Sequence, residues 1–430
     1  MIDINLIREN PELLKKSLTR RNQNPDGVDS FLTLDTDWRA KTQVIEKLRS
    51  EQKQLGVEKK FEQAKELKEK IQVQEKELTE IAKVREDWLL SFPNILAEEV
   101  PDGQNETENK VLRTWGKKPE FDFEPKDHAE LGKTLDIIDN ERASKVTGAR
   151  FTYLKGGGAL LQMALIQWTT QVLTDPKTIK KIAQSVGASV SPKPFTLVFP
   201  PVMIREESYR RMARLTEEDK DERYHLEKDD LYLIGSAEHT LGAMHMDETI
   251  PEKDLPLRYL GYSTSFRREA GSYGKDTKGI LRMHQFDKLE MESFTESTNG
   301  IKEQDFFVAI QEYLVQKLEL PYQVVANCAG DTGTPDARQF DIEIWMPGQQ
   351  KYRETHSADY MADYQSRRLK TTIKKENGEK EFAHMNDATA FAIGRTLIAI
   401  LENNQTKNGE IKIPKVLRPY LGGKKVITQM

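Results

Sequence analysis

Two long runs of apolar residues, spaced by steps of three and four, constrain this chain more than any other feature. The spacing is that of a coiled-coil seam, and Gly56 lies between the runs. No proline interrupts either run, and each helix would be roughly 40 Å long at about 1.5 Å per residue. The sequence therefore predicts an antiparallel helical hairpin that reverses near Gly56. The first run comprises Leu34, Trp38, Ile45, Leu48 and Leu55, with Lys41 and Gln52 interrupting it, and the second comprises Ala64, Leu67, Ile71, Gln74, Leu78, Ile81, Arg85 and Trp88.

Charge and cysteine content narrow the class of protein. Charged residues are 31% of the chain, above the roughly 25% typical of globular proteins, which fits a hairpin with solvated outer faces. The net charge of −5 excludes a globally basic nucleic-acid binder. Cys328 is the single cysteine, so no internal disulfide can form and no zinc site is expected. A charged start and the lack of a long apolar run predict a soluble, cytoplasmic protein with no membrane partner.

The chain beyond the hairpin mixes strands with helices. Short apolar segments at 195–199, 230–234 and 340–345 predict strands, and 390–401 predicts a buried helix. Strands and helices do not alternate regularly along this part of the chain. We therefore predict an α+β fold with an antiparallel sheet, preceded by the helical hairpin.

Residues 265–291 carry side chains suited to chemistry. The segment predicts two strands joined by a glycine-punctuated loop, with the return strand beginning at Leu281. Arginines suit phosphate, an aromatic ring suits a nucleobase and a carboxylate suits an ammonium group. Burying such a face is costly unless it binds something, so the pattern favours a site for a nucleotide and a small zwitterion over an exposed, ion-paired hairpin. The face comprises Arg267 and Glu269 on one strand and Arg282, His284, Phe286, Lys288 and Glu290 on the other, and the loop contains Gly271, Gly274 and Gly279.

Four stretches of the sequence resemble three motifs of a known family. Phe-Arg-Arg-Glu-Ala-Gly begins at Phe266, and Arg-Met-His-Gln-Phe-Asp-Lys-Leu-Glu begins at Arg282. Gly-Arg-Thr-Leu-Ile-Ala-Ile-Leu-Glu-Asn begins at Gly394, and Phe-Pro-Pro begins at Phe199. The first two stretches together resemble motif 2 of the seryl-tRNA synthetases, which are class II aminoacyl-tRNA synthetases. The third stretch resembles their motif 3, and the fourth resembles the end of their motif 1. The opening segment, the hairpin and residues 416–420 are similar as well, so the resemblance spans nearly the whole chain.

The resemblance implies an activity and a domain organisation. The enzyme would activate L-serine with ATP to seryl-adenylate and transfer serine to the 3′ end of serine tRNA, with selenocysteine tRNA as an open second substrate. Residues 1–105 would form the tRNA-binding domain with a coiled-coil arm at about 30–92, and residues 106–430 the catalytic domain of a homodimer. Two alternatives are an amino-acid:carrier-protein ligase, which resembles synthetases without the arm, and a catalytically inactive paralogue. Periodicity alone favours a packing or dimerisation role for the arm.

The resemblance also implies roles for the residues of an ATP site. Arg267 matches the arginine that contacts the α-phosphate and the serine carboxylate, and Arg282 and Arg395 match those that hold the outer phosphates. These three are the implied catalytic residues. Glu354 and Ser357 match the oxygen ligands of a Mg²⁺ that bridges ATP phosphates. The implied ATP site comprises Arg267, Arg268, Glu269, Met283, Phe286, Glu354, Thr355, His356, Ser357 and Arg395.

A serine site follows from the same resemblance. Glu290 matches the residue that contacts the substrate amino and hydroxyl groups, and Thr389 matches the residue beside the serine side chain. A pocket that hydrogen-bonds a hydroxyl rejects alanine, because its own polar groups would be left unpaired, whereas threonine must be excluded by shape. The implied serine site comprises Ser236, Ala237, Glu238, Arg267, Glu290 and Thr389.

The chain departs from the family pattern at two places. Asp387 stands where the family usually has Asn. Three placements are open for Asp387. Its carboxylate would face solvent, or it would change the charge of the pocket, or a small shift of register would put Asn386 in its place. Residues 174–192 resemble a lysine-rich helical insertion, which would contact tRNA or decorate the dimer edge, and the second role is favoured because surface insertions are tolerated cheaply.

Overall fold

The structure is a computed structural model, and it describes residues 1–217, 219–269 and 278–429. The chain forms two compact units, Met1–Leu96 and Ala97–Met430. The α-helices within the described residues are α1 (Ile4–Glu9), α2 (Pro11–Arg20), α3 (Gly27–Val57), α4 (Phe61–Ser91), α5 (His128–Thr134), α6 (Asn140–Thr147), α7 (Gly156–Thr174), α8 (Pro176–Val186), α9 (Glu206–Arg211), α10 (Glu238–Leu241), α11 (Gly300–Lys317), α12 (Tyr364–Leu369) and α13 (Ile393–Asn403).

The strands of the second unit form one large sheet and several small ones. In chain order the strands are β1 (Lys110–Trp115), β2 (Ile138–Asp139), β3 (Tyr153–Leu154), β4 (Thr196–Val198), β5 (Met203–Arg205), β6 (His225–Leu226), β7 (Leu231–Leu233), β8 (Thr249–Pro251), β9 (Leu257–Phe266), β10 (Gln285–Thr295), β11 (Tyr322–Ala326), β12 (Arg338–Met346), β13 (Lys351–Ala362), β14 (Thr372–Lys374), β15 (Lys380–Phe382), β16 (His384–Ala392), β17 (Ile411–Lys412) and β18 (Val426–Ile427).

The first unit contains the predicted helical hairpin. Helices α3 and α4 pack against each other along their length, with Ile45 and Ile71 buried in the seam. Arg49 and Glu75 form an ion pair of 2.7 Å across the two helices. Gly56 lies in the last turn of α3, so the chain reverses just after it, where Lys59 adopts a positive φ of 59°. The hairpin prediction is therefore confirmed, with the turn displaced by a few residues.

A buried carboxylate lies at the base of the hairpin. The Asp35 side chain is 1% exposed and forms ion pairs with Arg8 at 2.8 Å, Arg85 at 2.7 Å and Arg39 at 3.1 Å. Burial favours the protonated form, but the hydrogen bonds from Arg8 and Arg85 hold the pKa of Asp35 below its ordinary value. Asp35 is therefore ionised at neutral pH, and it ties α1, α3 and α4 together below the solvated part of the hairpin.

The second unit is built on an eight-stranded sheet in the order β1-β11-β12-β13-β16-β10-β9-β4. Strand β4 pairs with β9 in parallel, and the other pairs in this sheet are antiparallel. Helices α7, α8, α11 and α13 contribute to the main core together with the strands, which include Leu289 and Met291 of β10. The alternate residues of β10, such as Lys288 and Glu290, project from the opposite face. The predicted α+β fold with an antiparallel sheet is confirmed.

The small segments predicted from apolar composition are mostly correct. Strands β4, β7 and β12 lie where strands were predicted. The prediction of a helix over 390–401 is wrong at its start, because β16 continues to Ala392 and α13 begins at Ile393. The predicted helix of the insertion is α8. Its residues Ile179, Ile182 and Ala183 are buried, so one face of this helix belongs to the main core, and a role of its other face at a dimer edge or toward tRNA stays a prediction.

The hairpin of residues 265–291 differs from its prediction. The return strand begins at Gln285 rather than Leu281, because the residues after Gly279 form turns instead of pairing. Strand β9 ends at Phe266, so Arg267 follows the strand, although its N–H still donates to the His284 carbonyl at 3.0 Å. The predicted loop glycines Gly271 and Gly274 lie outside the described residues. No helix in the described parts of the chain is both long and apolar enough to cross a lipid bilayer.

Candidate active site

A cavity of about 240 Å³ opens on the sheet face that carries the polar residues of β10. Strands β10, β13 and β16, the start of α13 and the turns after Gly279 all contribute to it. Most residues that the sequence nominated meet here, although they come from segments separated by more than one hundred positions. The residues of the implied ATP and serine sites that line the cavity are Glu238, Arg267, Glu269, Arg282, Met283, Phe286, Glu354, Thr355, Ser357, Thr389 and Arg395.

One end of the cavity combines an aromatic ring with arginines. The Arg267 guanidinium carbon lies 5.3 Å from the centroid of the Phe286 ring, and its Nε donates to the Gly235 carbonyl at 3.1 Å. Arg282 pairs with Glu269 at 2.6 Å, and Glu269 adopts a positive φ of 53°. The cavity therefore contains an aromatic ring that can stack on a base and arginines that can bind phosphates. Together these groups suit a nucleotide.

Glu354 and Ser357 share this cavity because β13 contains a bulge. His356 pairs with Ile342 and Glu354 pairs with Glu343, so Thr355 has no residue opposite it. The extra residue brings Glu354 and Ser357 to the same face of the strand. Arg395 lies 3.1 Å from the Glu354 carboxylate. One carboxylate, one hydroxyl and a neighbouring cation thus lie beside the arginine-rich end.

The donor set fits Mg²⁺ only together with a substrate. Among the described residues, no three His, Cys, Asp or Glu side chains form a group that could hold a metal ion alone. Mg²⁺ commonly binds through one or two carboxylates plus substrate phosphates. A carboxylate from Glu354 and a hydroxyl from Ser357 are compatible with that mode of binding.

The other end of the cavity is built around Lys288. Its ammonium group lies 2.5 Å from Glu290, 2.9 Å from the Ser236 hydroxyl and 3.9 Å from Glu238. Burial raises the pKa of Glu290 to about 8, with Glu238 and Asp387 adding to the shift while Lys288 opposes it. For Glu238, burial alone would raise the pKa, but Lys288, Arg214 and other neighbouring groups together lower it. The two carboxyl groups that share Lys288 therefore have pKa values shifted in opposite directions.

Comparison with known proteins identifies the family. The sequence-family model of the class II tRNA synthetase core domain (G, H, P, S and T) matches residues 221–404. The family model of the seryl-tRNA synthetase N-terminal domain matches residues 1–96. The serine–tRNA ligase of Dictyoglomus turgidum is 38% identical, over 98% of this chain and 98% of its own. The chain belongs to the seryl-tRNA synthetase family. The resemblance found in its motifs is thereby confirmed.

Solved structures of this family share the fold over the full length. The seryl-tRNA synthetase from Pyrococcus horikoshii, complexed with ATP, superimposes with a TM-score of 0.91 at 37% identity and covers 100% of both chains. The cytoplasmic serine–tRNA ligase from Naegleria fowleri, in complex with AMP, gives a TM-score of 0.88 at 32% identity, covering 100% of this chain and 99% of its own. Both of these synthetases bind an adenine nucleotide.

Five residues of the implied ATP and serine sites lie outside the cavity lining. Ser236 and Glu290 lie directly behind it, where both contact Lys288, and Ala237 is buried. Arg268 is exposed, with its guanidinium carbon 5.5 Å from the centroid of the Tyr224 ring. His356 is buried on the other side of β13. It contacts the Thr355 hydroxyl at 2.7 Å, and burial lowers its pKa to about 3.

The structure also decides among the three placements considered for Asp387. Its side chain lines the cavity and is 3% exposed, so it does not face solvent. Asn386 is fully buried and is not part of the lining, so no shift of register exchanges the two residues. Arg214, which the sequence did not nominate, lines the same cavity and contacts Asp387 at 2.8 Å. The only signal for Arg214 in the sequence was the unusual acid at 387, which needs a cation once it is buried.

Proposed function

We propose that this synthetase is a serine–tRNA ligase that makes seryl-adenylate in the cavity described above and then transfers serine to the 3′ end of serine tRNA. The observation that supports the proposal is that one cavity contains two groups of side chains, each suited to a different substrate. An aromatic and arginine-lined end suits ATP, and an end with Glu238, Lys288 and Thr389 suits a small zwitterion with a hydroxyl. Transfer of labelled serine to tRNA in the presence of ATP tests this function.

The first step needs positioning and charge stabilisation rather than a general base. The serine carboxylate is already an anion, and it attacks the α-phosphorus of ATP while the bond to pyrophosphate breaks. Arg267 would stabilise the charge that develops on the α-phosphate, and Arg282 and Arg395 would orient the leaving pyrophosphate. Glu354 and Ser357 would hold a Mg²⁺ ion, which supplies further positive charge to the phosphates. In the second step, the 3′-terminal hydroxyl of tRNA attacks the carbonyl of the adenylate and AMP leaves.

Recognition of serine would rest on the acidic end of the cavity. Glu238, which lines the cavity, can accept hydrogen bonds from the serine ammonium group, Glu290 adds negative charge from behind the lining, and Thr389 lies where it can contact the side chain. The Thr389 hydroxyl is 3.4 Å from that of Ser357, so both are held among polar neighbours. These polar groups would be left unpaired by alanine, which disfavours alanine as a substrate.

The protonation of Glu290 predicts that serine binding depends on pH. Because burial raises the pKa of Glu290 to about 8, this carboxyl is mostly protonated at neutral pH in the empty cavity. Binding of the serine ammonium group favours the carboxylate, so a proton is released on binding. We expect the KM for serine to fall by several-fold as the pH rises from about 6.5 to about 8, a range in which the serine ammonium group stays protonated.

Pyrophosphate exchange measured against pH checks this expectation. The KM for ATP, determined in the same reactions, serves as the control and should change little. Replacing Glu290 with glutamine should weaken serine binding and remove its pH dependence over this range, because the titrating group is gone. A KM for serine that stays constant from about pH 6.5 to 8 in the unmodified protein would contradict the assignment.

The N-terminal residues 1–105 are proposed to bind tRNA through the arm at about 30–92. Two helices of 31 residues each, α3 and α4, have mostly exposed outer faces, and they carry lysines and arginines that suit a phosphate backbone. The hairpin is poor in aromatic residues that could stack on bases, so recognition would rest on RNA shape and backbone contacts.

A homodimer is proposed through the region of motif 1. A groove here is lined mostly by apolar residues and includes Phe199, which is 72% exposed, and Met244, which is 49% exposed. Large exposed apolar side chains grouped in this way are typical of a protein interface. Sedimentation equilibrium of the full chain should give twice the mass of 49.5 kDa, and Phe199→Asp should shift the protein toward the monomer. A monomeric unmodified protein at micromolar concentration would contradict this proposal.

A further inference from the structure

Arg214 and Asp387 form an ion pair at the serine end of the cavity. Arg214 follows α9 in the chain, whereas Asp387 lies on β16, 173 positions away. Arg214 Nη2 lies 2.8 Å from Asp387 Oδ2, and the two side chains are 18% and 3% exposed. Both side chains line the cavity together with Thr389, which follows Asp387 by two positions on the same face of β16. The pair is therefore adjacent to the residue proposed to contact the serine side chain.

The surroundings of Asp387 explain why it requires a cation. In the sheet register, Asp387 pairs with Glu292 of β10 on one side and with Asp359 of β13 on the other. Glu292 is 0% exposed, and neither of its carboxylate oxygens has a hydrogen-bond partner in the described part of the chain. Three buried carboxylates thus lie in one row across three strands. An ionised Asp387 in this row would be strongly disfavoured without an opposite charge beside it.

Arg214 is the cation that contacts this row of carboxylates. Lys288, which also lines the cavity, contacts Ser236, Glu238 and Glu290. Arg214 instead contacts Asp387 and lies 3.8 Å from Asp336, a further buried carboxylate. The serine end therefore contains two neighbouring groups of contacts, one centred on Lys288 and one on Arg214. Loss of either partner of the second group would change the net charge next to the substrate ammonium group.

We propose that Arg214 is a positioning residue, whose charge keeps the Asp387 side chain ionised and in place at the serine-binding end of the cavity. The affinity for serine then depends on the presence of both residues together. The inference rests on the proposed function of the cavity. Without Arg214, Asp387 would take up a proton or turn away from Glu292 and Asp359. Without Asp387, Arg214 would keep only the more distant Asp336 at 3.8 Å, and its positive charge would repel the serine ammonium group.

A double-mutant cycle tests the proposal. Arg214→Gln and Asp387→Asn should each raise the KM for serine by about tenfold or more, since the first removes the cation from the row of carboxylates and the second removes the nearest partner of Arg214. The double variant, in which a neutral amide stands at both positions, should return the KM for serine to within about threefold of the original value. The KM for ATP should stay nearly constant in all three variants, which a general loss of folding would not produce. Arg214→Lys keeps the charge and should retain more serine affinity than Arg214→Gln.

A matched ion pair on the same segment provides the control. Arg211 contacts Asp247 through two hydrogen bonds of 2.9 and 2.8 Å, and neither residue lines the cavity. The Arg211→Gln and Asp247→Asn cycle should leave the KM for serine unchanged. Losses that simply add in the Arg214 and Asp387 cycle, or single variants that bind serine normally, would overturn the inference. So would an Arg214→Lys variant as weak as Arg214→Gln. Absence of seryl-adenylate from the unmodified protein would instead contradict the proposed function.

Discussion

Replacing Arg267 with alanine is expected to reduce seryl-adenylate formation by about 10³-fold or more. Arg267 lines the cavity beside Phe286, and the Gly235 carbonyl fixes its Nε. Burial and the neighbouring Arg223 lower the pKa of Arg267, yet a guanidinium stays protonated at neutral pH. It therefore offers a fixed positive charge in the cavity, where the α-phosphate would gain negative charge during attack by the serine carboxylate.

Exchange of labelled pyrophosphate into ATP, dependent on serine, measures this loss. Arg113→Ala is the matched control, because Arg113 lies on the edge strand β1, pairs with Glu312 at 2.6 Å and does not line the cavity. Binding of tRNA should persist in the Arg267→Ala variant, since the arm is unchanged. Normal adenylate formation by that variant would exclude Arg267 from the reaction.

Shortening the hairpin is expected to separate the two steps of the reaction. Residues 46–74 would be replaced by a short glycine-rich turn, which leaves Asp35 with its arginine partners and the buried residues Phe31 and Leu89 in place. Seryl-adenylate should form at nearly the original rate, because the cavity is built entirely from the second unit. Charging of tRNA should fall by about 10²-fold or more, because the proposed backbone contacts to tRNA are lost.

The same shortened chain contains its own control, since its rate of adenylate formation reports whether the second unit is intact. A second control replaces only residues 58–60 with glycines. This keeps both helices and should preserve charging. If the shortened chain charges tRNA at the full rate, the arm does not take part in tRNA recognition. That result would leave the hairpin with the packing or dimerisation role that its periodicity alone favours.

The hairpin and the fold class could be predicted because their signals are local. A seam of apolar residues spaced by three and four specifies a long helix without reference to the rest of the chain. The errors arose where local signals are ambiguous. The apolar run from Ala390 to Ile393 reads equally well as strand or helix, and the chain changes from one to the other within it. Leu281 looked like the start of a strand, but pairing begins only at Gln285.

The site was predicted wherever a residue belongs to a compact motif. Arg267, Phe286 and Arg395 were nominated and do line one cavity. Arg214 was not, because it lies in no motif and meets its partner Asp387 only through the folding of distant segments. Its role follows from an electrostatic requirement of the folded state, since a buried acid beside two others needs a cation. A sequence shows the acid but not the position from which the cation will come.

The most direct test of the proposed function is the transfer of labelled serine to unfractionated tRNA with ATP and Mg²⁺, with alanine and threonine in parallel. We predict that serine is charged and that alanine and threonine are not. Seryl-adenylate without charged tRNA would contradict the account and indicate an amino-acid:carrier-protein ligase. No adenylate from any of the three amino acids would indicate a catalytically inactive paralogue that keeps the cavity without its reaction.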